Sequence, residues 1–380
     1  MGTTHPKPDA ATVGHRGAEI PFGSNDVRLP FRQWVVAALG LSLLFYLIPL
    51  AWTKIERLDA GPDYRIPYAL GNDYWNYART CREVAAGERT LLVGDSVMWG
   101  HYVASSETLS HYLNERTGEA RFANLGLDGV HPAALCGLIE HYGRAIRGRN
   151  VVLNCNLLWI SSARHDLSTD KEFAFNHPAL VPQFWPKIPC YRAPLSDKLG
   201  TVVARNFGFL GWADHVRTVY FGGSDLAAWT LEHPYENPLA QVTLQLPSPD
   251  EPPSPEPDAR PWHVKGIEKY RPEWVALDDS LQWQFFRRTV AVLRERGNRV
   301  FVLVGPFNEH MLTDGALRAY HERQGQVAAW LDQERISYGI PPALPRDLYA
   351  DASHPTAAGY QRLAQWLSEA ASFGAFHTGH

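Results

Sequence analysis

Two short blocks, far apart in a chain of 380 residues, carry residue types suited to acyl-group chemistry. The first is Leu91-Leu-Val-Gly94-Asp95-Ser96-Val-Met-Trp-Gly100. Thr90 to Val93 reads as a short buried strand that ends at Gly94-Asp95-Ser96. A helical pattern then runs through Tyr102, Leu109, Tyr112 and Leu113. A serine in a strand-to-helix turn presents its hydroxyl at the carboxyl edge of a sheet, beside backbone N–H groups able to face an oxyanion. Asp and Ser are also common helix caps, and the block alone is compatible with that plainer role.

The second block is Asp351-Ala-Ser-His354-Pro355, followed by an amphipathic helix that Pro355 opens. An Asp three residues before a His can accept from one ring nitrogen, which leaves the other to take a proton from a serine. Alone, the pair reads as surface polar residues. Together, in this order, the two blocks resemble the SGNH (GDSL-type) esterase and acyltransferase superfamily. The resemblance implies a flavodoxin-like α/β sandwich in which Ser96 is the nucleophile, His354 the base and Asp351 its orienting partner.

The resemblance also implies three oxyanion donors. Ser96 supplies its own N–H. A glycine N–H after the second strand is expected from Asn124-Leu-Gly-Leu-Asp-Gly129, where Gly129 fits better than Gly126; a tight turn would need such a glycine too. The third donor is an Asn side chain after the third strand, normally within Gly-x-Asn-Asp. Here the chain departs, with Val151-Val-Leu-Asn154-Cys155-Asn156-Leu157 in its place. Asn156 is the candidate, and Asn154 is two residues back. Asp95 and Asn308 are expected substrate contacts, although Asn308 in Gly305-Pro-Phe-Asn308-Glu309-His310 also suits a turn. Ser161-Ser-Ala-Arg164-His165-Asp166 reads as a polar cleft wall, and His131-Pro132 as a helix start. No metal or organic cofactor is implied.

To position these residues the chain must alternate strand and helix, which predicts a parallel sheet covered on both faces. Strands are expected at Thr90–Val93, Arg121–Leu127, Asn150–Cys155, Arg299–Val304 and Ile336–Ile340. Helices are expected at Asp73–Ala86, Met98–Arg116, Pro132–Arg147, Asp279–Arg296 and Asp314–Glu334, with a last one from Pro355. The catalytic domain is placed at 73–375, with an insertion at about 165–275 after strand three. The insertion holds the Pro-rich acidic stretch Leu246 to Asp258, which can form neither helix nor inner strand and reads as an extended or flexible loop. It also holds an apolar stretch from Lys198 to Trp229, read as a cap over the site, a surface against the membrane, or a helical subdomain with its own core.

Trp34 to Trp52 is a 19-residue run without a charge, flanked by Arg32 and Lys54. A run of that length spans a bilayer core of about 30 Å, and it exceeds the usual apolar core of a cleaved signal peptide. It is read as an uncleaved transmembrane helix at 34–52, between a disordered leader at 1–33 and a linker at 53–72. Basic residues on its two sides nearly balance, so the family resemblance decides the orientation: the amino terminus inside and the catalytic domain extracytoplasmic. A net charge of −4 gives no case for nucleic acid. Cys81, Cys136, Cys155 and Cys190 lack C-x-x-C spacing, which argues against zinc. Cys155 is expected as a buried thiol, and a disulfide such as Cys81–Cys190 is permitted outside the cytoplasm.

The expected function is hydrolysis of an acyl ester, an O-acetyl ester in particular, by a Ser-His-Asp triad. The alternatives are O-acetyl transfer to an exported polysaccharide, as the membrane-anchored architecture suggests, or a non-catalytic glycan-binding scaffold. The acyl group, natural acceptor and oligomeric state are not readable from the sequence.

Overall fold

A computed structural model of the chain describes residues 30–171, 176–253 and 255–378. Most of the expected leader therefore lies outside the described residues. The chain divides into two units, 1–47 and 48–380. Described residues of the first are almost wholly the greater part of helix α1 (Phe31–Ile55), whose exposed side chains there include Trp34, Leu39, Leu43 and Leu44. At 25 residues, α1 is long and apolar enough to span a membrane.

The second unit is α/β. Its five strands are β1 (Thr90–Gly94), β2 (Phe122–Gly126), β3 (Asn150–Cys155), β4 (Arg299–Val304) and β5 (Ser337–Gly339). All pair in parallel in the order β2-β1-β3-β4-β5. That order puts a topological switch point between β1 and β3, where loops from neighbouring strands diverge and leave a crevice at the carboxyl edge. Helices α2 (Tyr74–Ala86), α5 (Pro132–His141), α10 (Leu281–Glu295) and α11 (Asp314–Gln333) cover one face. Helices α4 (Leu109–Thr117), α12 (Ala357–Glu369) and α13 (Ala371–Thr378) cover the other. Strand residues alternate between the two layers: Leu91, Val93, Val151, Leu153, Val302 and Val304 face the first, while Leu92, Val152, Phe301 and Leu303 face the second. Burial on both sides explains why these strands read as unbroken apolar runs.

Four expectations are corrected. The helix predicted from Met98 to Arg116 is broken: a single turn, α3 (Ser96–Trp99), ends at Gly100 in the left-handed region, at φ 92°. The chain resumes as α4 only after Thr108 caps it. An L-residue at position 100 would be strained, so the apolar spacing continued past a stop signal. The helix expected to reach Arg147 ends at His141.

Residues 53–72 do not form a free linker. Arg65, Ile66 and Leu70 are buried, and the Ile66 carbonyl accepts from Trp99 Nε1 at 2.7 Å. The physical reason is the bulk of Trp99, whose indole needs both cover and a hydrogen-bond acceptor.

No disulfide forms: all four cysteines are free and buried. Cys81 packs into the layer under α2, and Cys190 Sγ lies 3.6 Å from the Leu167 carbonyl.

The insertion carries helices α6 (Leu195–Asn206), α7 (Gly208–Phe221), α8 (Leu226–Glu232) and α9 (Pro238–Gln241). It has a small core of its own in Tyr220, Phe221 and Trp229, packed with Trp52. Fully buried His215 on α7 reaches Asp73 Oδ2 at 2.5 Å and Glu56 Oε1 at 3.0 Å. Glu56, also fully buried, further accepts from Tyr220 at 2.5 Å, Trp52 Nε1 at 3.1 Å and the Arg79 guanidinium. Burial pushes the Glu56 carboxyl up, but His215, Tyr220 and Trp52 outweigh it and hold the group at about 2. Burial lowers His215, while its hydrogen bonds to the Asp73 and Glu56 carboxylates overcome that and raise it to about 9.

The described part of the Pro-rich stretch forms neither helix nor strand and is laid against the domain. Its Pro249 carbonyl accepts from Arg65 Nε at 3.0 Å, and Asp250 Oδ1 accepts from the Ser105 N–H at 3.2 Å.

Candidate active site

Asp95 is the N-cap of α3, and its Oδ1 accepts from the Val97 N–H at 2.9 Å. Ser96 is thereby held as the first residue of a helical turn packed tightly on the sheet. A Cβ at Gly126 would lie 2.4 Å from the Trp99 nitrogen, so only glycine lets β2 and α3 approach so closely.

His354 Nε2 stands 2.7 Å from Ser96 Oγ. Its Nδ1 is 2.8 Å from both oxygens of Asp351. A carboxylate only accepts, so Nδ1 carries the proton and Nε2 is the acceptor for the serine hydroxyl. The Asp351 loop is held from several sides. Its Oδ1 also takes the N–H groups of Ser353 at 3.0 Å and His354 at 2.9 Å, and its Oδ2 accepts from Tyr102 at 3.1 Å. Burial acts to raise the Asp351 carboxyl, but the His354 charge and these donors hold it well below the usual carboxylate range. Burial acts to lower His354, and Asp351 outweighs it, so the imidazole lies above its ordinary value. The Tyr360 hydroxyl on α12 donates to the Val97 carbonyl at 2.6 Å, which ties the helix after the His354 loop to the turn bearing Ser96.

The oxyanion candidates fare differently. Neither the Ser96 nor the Gly129 N–H donates to a protein group among the described residues. Gly129 has φ 72° in the loop after β2. Asn156 is brought to the site, but its Nδ2 donates to Asp95 Oδ2 at 2.8 Å and its Oδ1 accepts from the Leu158 N–H at 3.0 Å. One amide proton remains. Asn154 instead donates to the Gly305 carbonyl at 2.8 Å.

Both expected substrate contacts are engaged by protein groups. Asp95 is buried, and its Oδ2 is occupied by Asn156 and by Trp159 Nε1 at 2.9 Å. Burial raises its carboxyl despite those donors. Asn308 is fully buried; its Nδ2 donates to the Asp351 carbonyl at 2.9 Å and its N–H to the Ala352 carbonyl at 2.8 Å. It shapes the loop under the Asp351–His354 pair. Asp166 is likewise no cleft wall: it is buried and caps α10 by accepting from the Leu281 and Gln282 N–H groups, each at 3.1 Å, and from Ser280. His131 starts α5, as read, with its ring accepting from the Ala134 N–H at 3.3 Å. Burial takes its imidazole down to about 3.

The sequence reading passed over five groups around this site. His101 Nδ1 lies 2.7 Å from Asp128 Oδ1, and its ring centroid is 5.4 Å from that of His354. Tyr102, counted there as a helical apolar position, is the donor to Asp351. His177 and Asn176, from the insertion, stand against the Asp128–Gly129 loop. The signal for Asp128 was present in the block that contains Gly129, and His101 follows Ser96 by five residues; nothing local in the sequence marks His177.

Beside Gly129 is a cleft of about 440 Å³ lined by Tyr68, Asn72, Trp99, Asp128, Asn176 and His177, among others. Along the other side, His101 and Tyr102 share a cleft of about 300 Å³ with Arg65 and the Pro-rich stretch. A carboxylate–imidazole–hydroxyl chain of this geometry can deprotonate the hydroxyl as it attacks an electrophilic carbon and return the proton to a leaving oxygen. A scan of the chain against protein-family models finds no match, and a search of curated proteins likewise finds none.

Proposed function

We propose that this protein is a membrane-anchored, extracytoplasmic serine esterase of the SGNH type, acting on acyl esters and O-acetyl esters above all. The observation that carries the reading is the hydrogen-bonded chain from Asp351 through His354 to Ser96, 2.8 and 2.7 Å per link, at the carboxyl edge of a parallel sheet. The strand order 2-1-3-4-5 supports it. So do the unengaged N–H groups of Ser96 and Gly129.

In this reading Ser96 Oγ attacks the ester carbonyl while His354 Nε2 takes its proton. The carbonyl oxygen gathers negative charge and is met by the Ser96 and Gly129 N–H groups and the remaining Asn156 proton. The imidazolium, stabilised by Asp351, returns the proton to the departing alcohol as its C–O bond breaks. The acyl-serine is then opened by a second hydroxyl, whose proton passes through His354 back to Ser96. Helix α1 holds the domain at the membrane.

The second hydroxyl belongs to water in a hydrolase and to a sugar in an O-acetyltransferase. The transferase reading is favoured by the cleft beside Gly129, where the aromatic Tyr68 and Trp99 stand among polar side chains suited to a hydroxyl-rich ligand.

The test is hydrolysis of p-nitrophenyl acetate by the full chain in detergent, beside Ser96→Ala, with and without a short oligosaccharide. Loss of activity in Ser96→Ala is expected, and acetylated oligosaccharide detected by mass spectrometry moves the assignment to transferase. Equal rates in folded wild type and mutant remove the catalytic reading and leave a glycan-binding scaffold.

A further inference from the structure

We infer that His177, supplied by the insertion between β3 and β4, is a positioning residue for the oxyanion hole: it fixes the peptide plane that carries the Gly129 N–H. The inference rests on the proposed esterase reading, in which that N–H is a donor. A trans peptide is planar, and its C=O and N–H point in opposite directions. Whatever holds the Asp128 carbonyl therefore aims the Gly129 N–H. His177 Nε2 lies 2.7 Å from that carbonyl oxygen. A carbonyl only accepts, so Nε2 carries the ring proton and Nδ1 is an acceptor. The Tyr74 hydroxyl on α2 stands 3.1 Å from Nδ1 and 3.2 Å from Asn72 Oδ1, its proton shared between the two acceptors. His177 is buried, which also lowers its pKa and keeps the ring neutral.

The rest of the loop agrees with this role. Asp128 is held a second time through its side chain, by His101. Gly129 follows the held peptide with φ 72°, a turn that glycine makes without strain. Asn176 closes the space above it, since a Cβ at Gly129 would come within 2.9 Å of Asn176 Nδ2. His177 itself adopts φ 58°, an uncommon conformation for a residue with a side chain, at the position where the ring meets the carbonyl. The insertion thus contributes a buttress to the site.

The experiment compares His177→Gln, which keeps a donor, with His177→Met, which fills a similar volume without one. Both are made in the full chain in detergent and assayed on p-nitrophenyl acetate, with thermal melts to confirm folding. Losing a whole oxyanion donor costs about 10²–10³-fold in kcat, and loosening its aim should cost less, about 10- to 100-fold. That loss is expected in His177→Met with KM nearly unchanged, and His177→Gln should recover most of it. The Ki of a boronic acid that mimics the tetrahedral adduct should rise in step with the loss in kcat/KM, while inhibition by the alcohol product stays constant. A merely structural role would not separate those two ligands. If His177→Met does not fold, Tyr74→Phe remains, expected to lower kcat severalfold at constant KM. Wild-type kcat in every folded variant, with Ser96→Ala inactive, overturns the inference. An active Ser96→Ala overturns the esterase reading instead.

Discussion

The Tyr102 hydroxyl donates to Asp351 Oδ2 at 3.1 Å, on the carboxylate that holds His354. It spreads the carboxylate charge over an additional donor and keeps the group facing the ring. In Tyr102→Phe that donor is lost and Oδ2 is left to the His354 ring, which should raise the imidazole further. A loss of about threefold to tenfold in kcat is expected, in line with one hydrogen bond to a charged group. The acid limb of the rate profile should move to higher pH. An unshifted limb would show that the tyrosine only fills space.

His354 lies above its ordinary value because Asp351 outweighs its burial. As a base it must be neutral, so kcat/KM should rise with pH through a midpoint above about 6.5, the unperturbed histidine value. Asp351→Asn removes the cause and the tautomer control together. It should lower kcat by about 10⁴-fold and bring the midpoint down. A pH–rate series from 5 to 9 on both proteins checks the sign.

The buried cluster of Glu56, His215 and Asp73 should give stability its own pH window. His215 is raised to about 9, so its contribution is complete below about 6.5 and is lost as pH rises through 9. Glu56 is lowered to about 2, so its contribution is complete above about 4.5 and is lost as pH falls through 2. Urea midpoints should therefore decline from about pH 7 upward. Glu56→Ala, which strands buried Arg79 and leaves His215 only Asp73, should cost about 3–5 kcal/mol and reduce that slope. A wild-type midpoint constant from pH 6 to 10 would contradict the assignment.

Asn308→Ala should weaken the site without touching a ligand. Losing the bond to the Asp351 carbonyl is expected to lower stability by about 1–2 kcal/mol and to reduce kcat, with KM unchanged. A raised KM would return Asn308 to the substrate-binding role expected from its sequence block.

The sheet was legible in the sequence because its inner strands are buried on both faces and read as apolar runs; β3 and β4 match their expected limits. Ser96, Asp351 and His354 were legible because each sits in a block whose local chemistry is distinctive. What escaped the reading depends on partners far along the chain. Asp166 has the composition of a cleft wall but caps a helix more than a hundred residues later. Asn156 looked free until Asp95, from another strand's end, was placed beside it. His177 acquires meaning only through the Asp128 carbonyl, which no pattern of residue types could reveal.

Arg65 joins three stretches of chain: its Nη1 donates to the Gly100 carbonyl at 2.6 Å, its Nε to the Pro249 carbonyl, and its guanidinium lies 4.1 Å from the Trp99 ring centre. The residues between the apolar helix and α2 are therefore part of the folded body and not a tether. A soluble form cut at Asp73, where a linker would end, loses Arg65, the Ile66 carbonyl and Glu56 at one stroke. It uncovers the Trp99 indole, which ends the same helical turn that Ser96 begins. The natural place to separate the folded body from the apolar helix lies ahead of Trp52, even though that keeps a short piece of the helix attached.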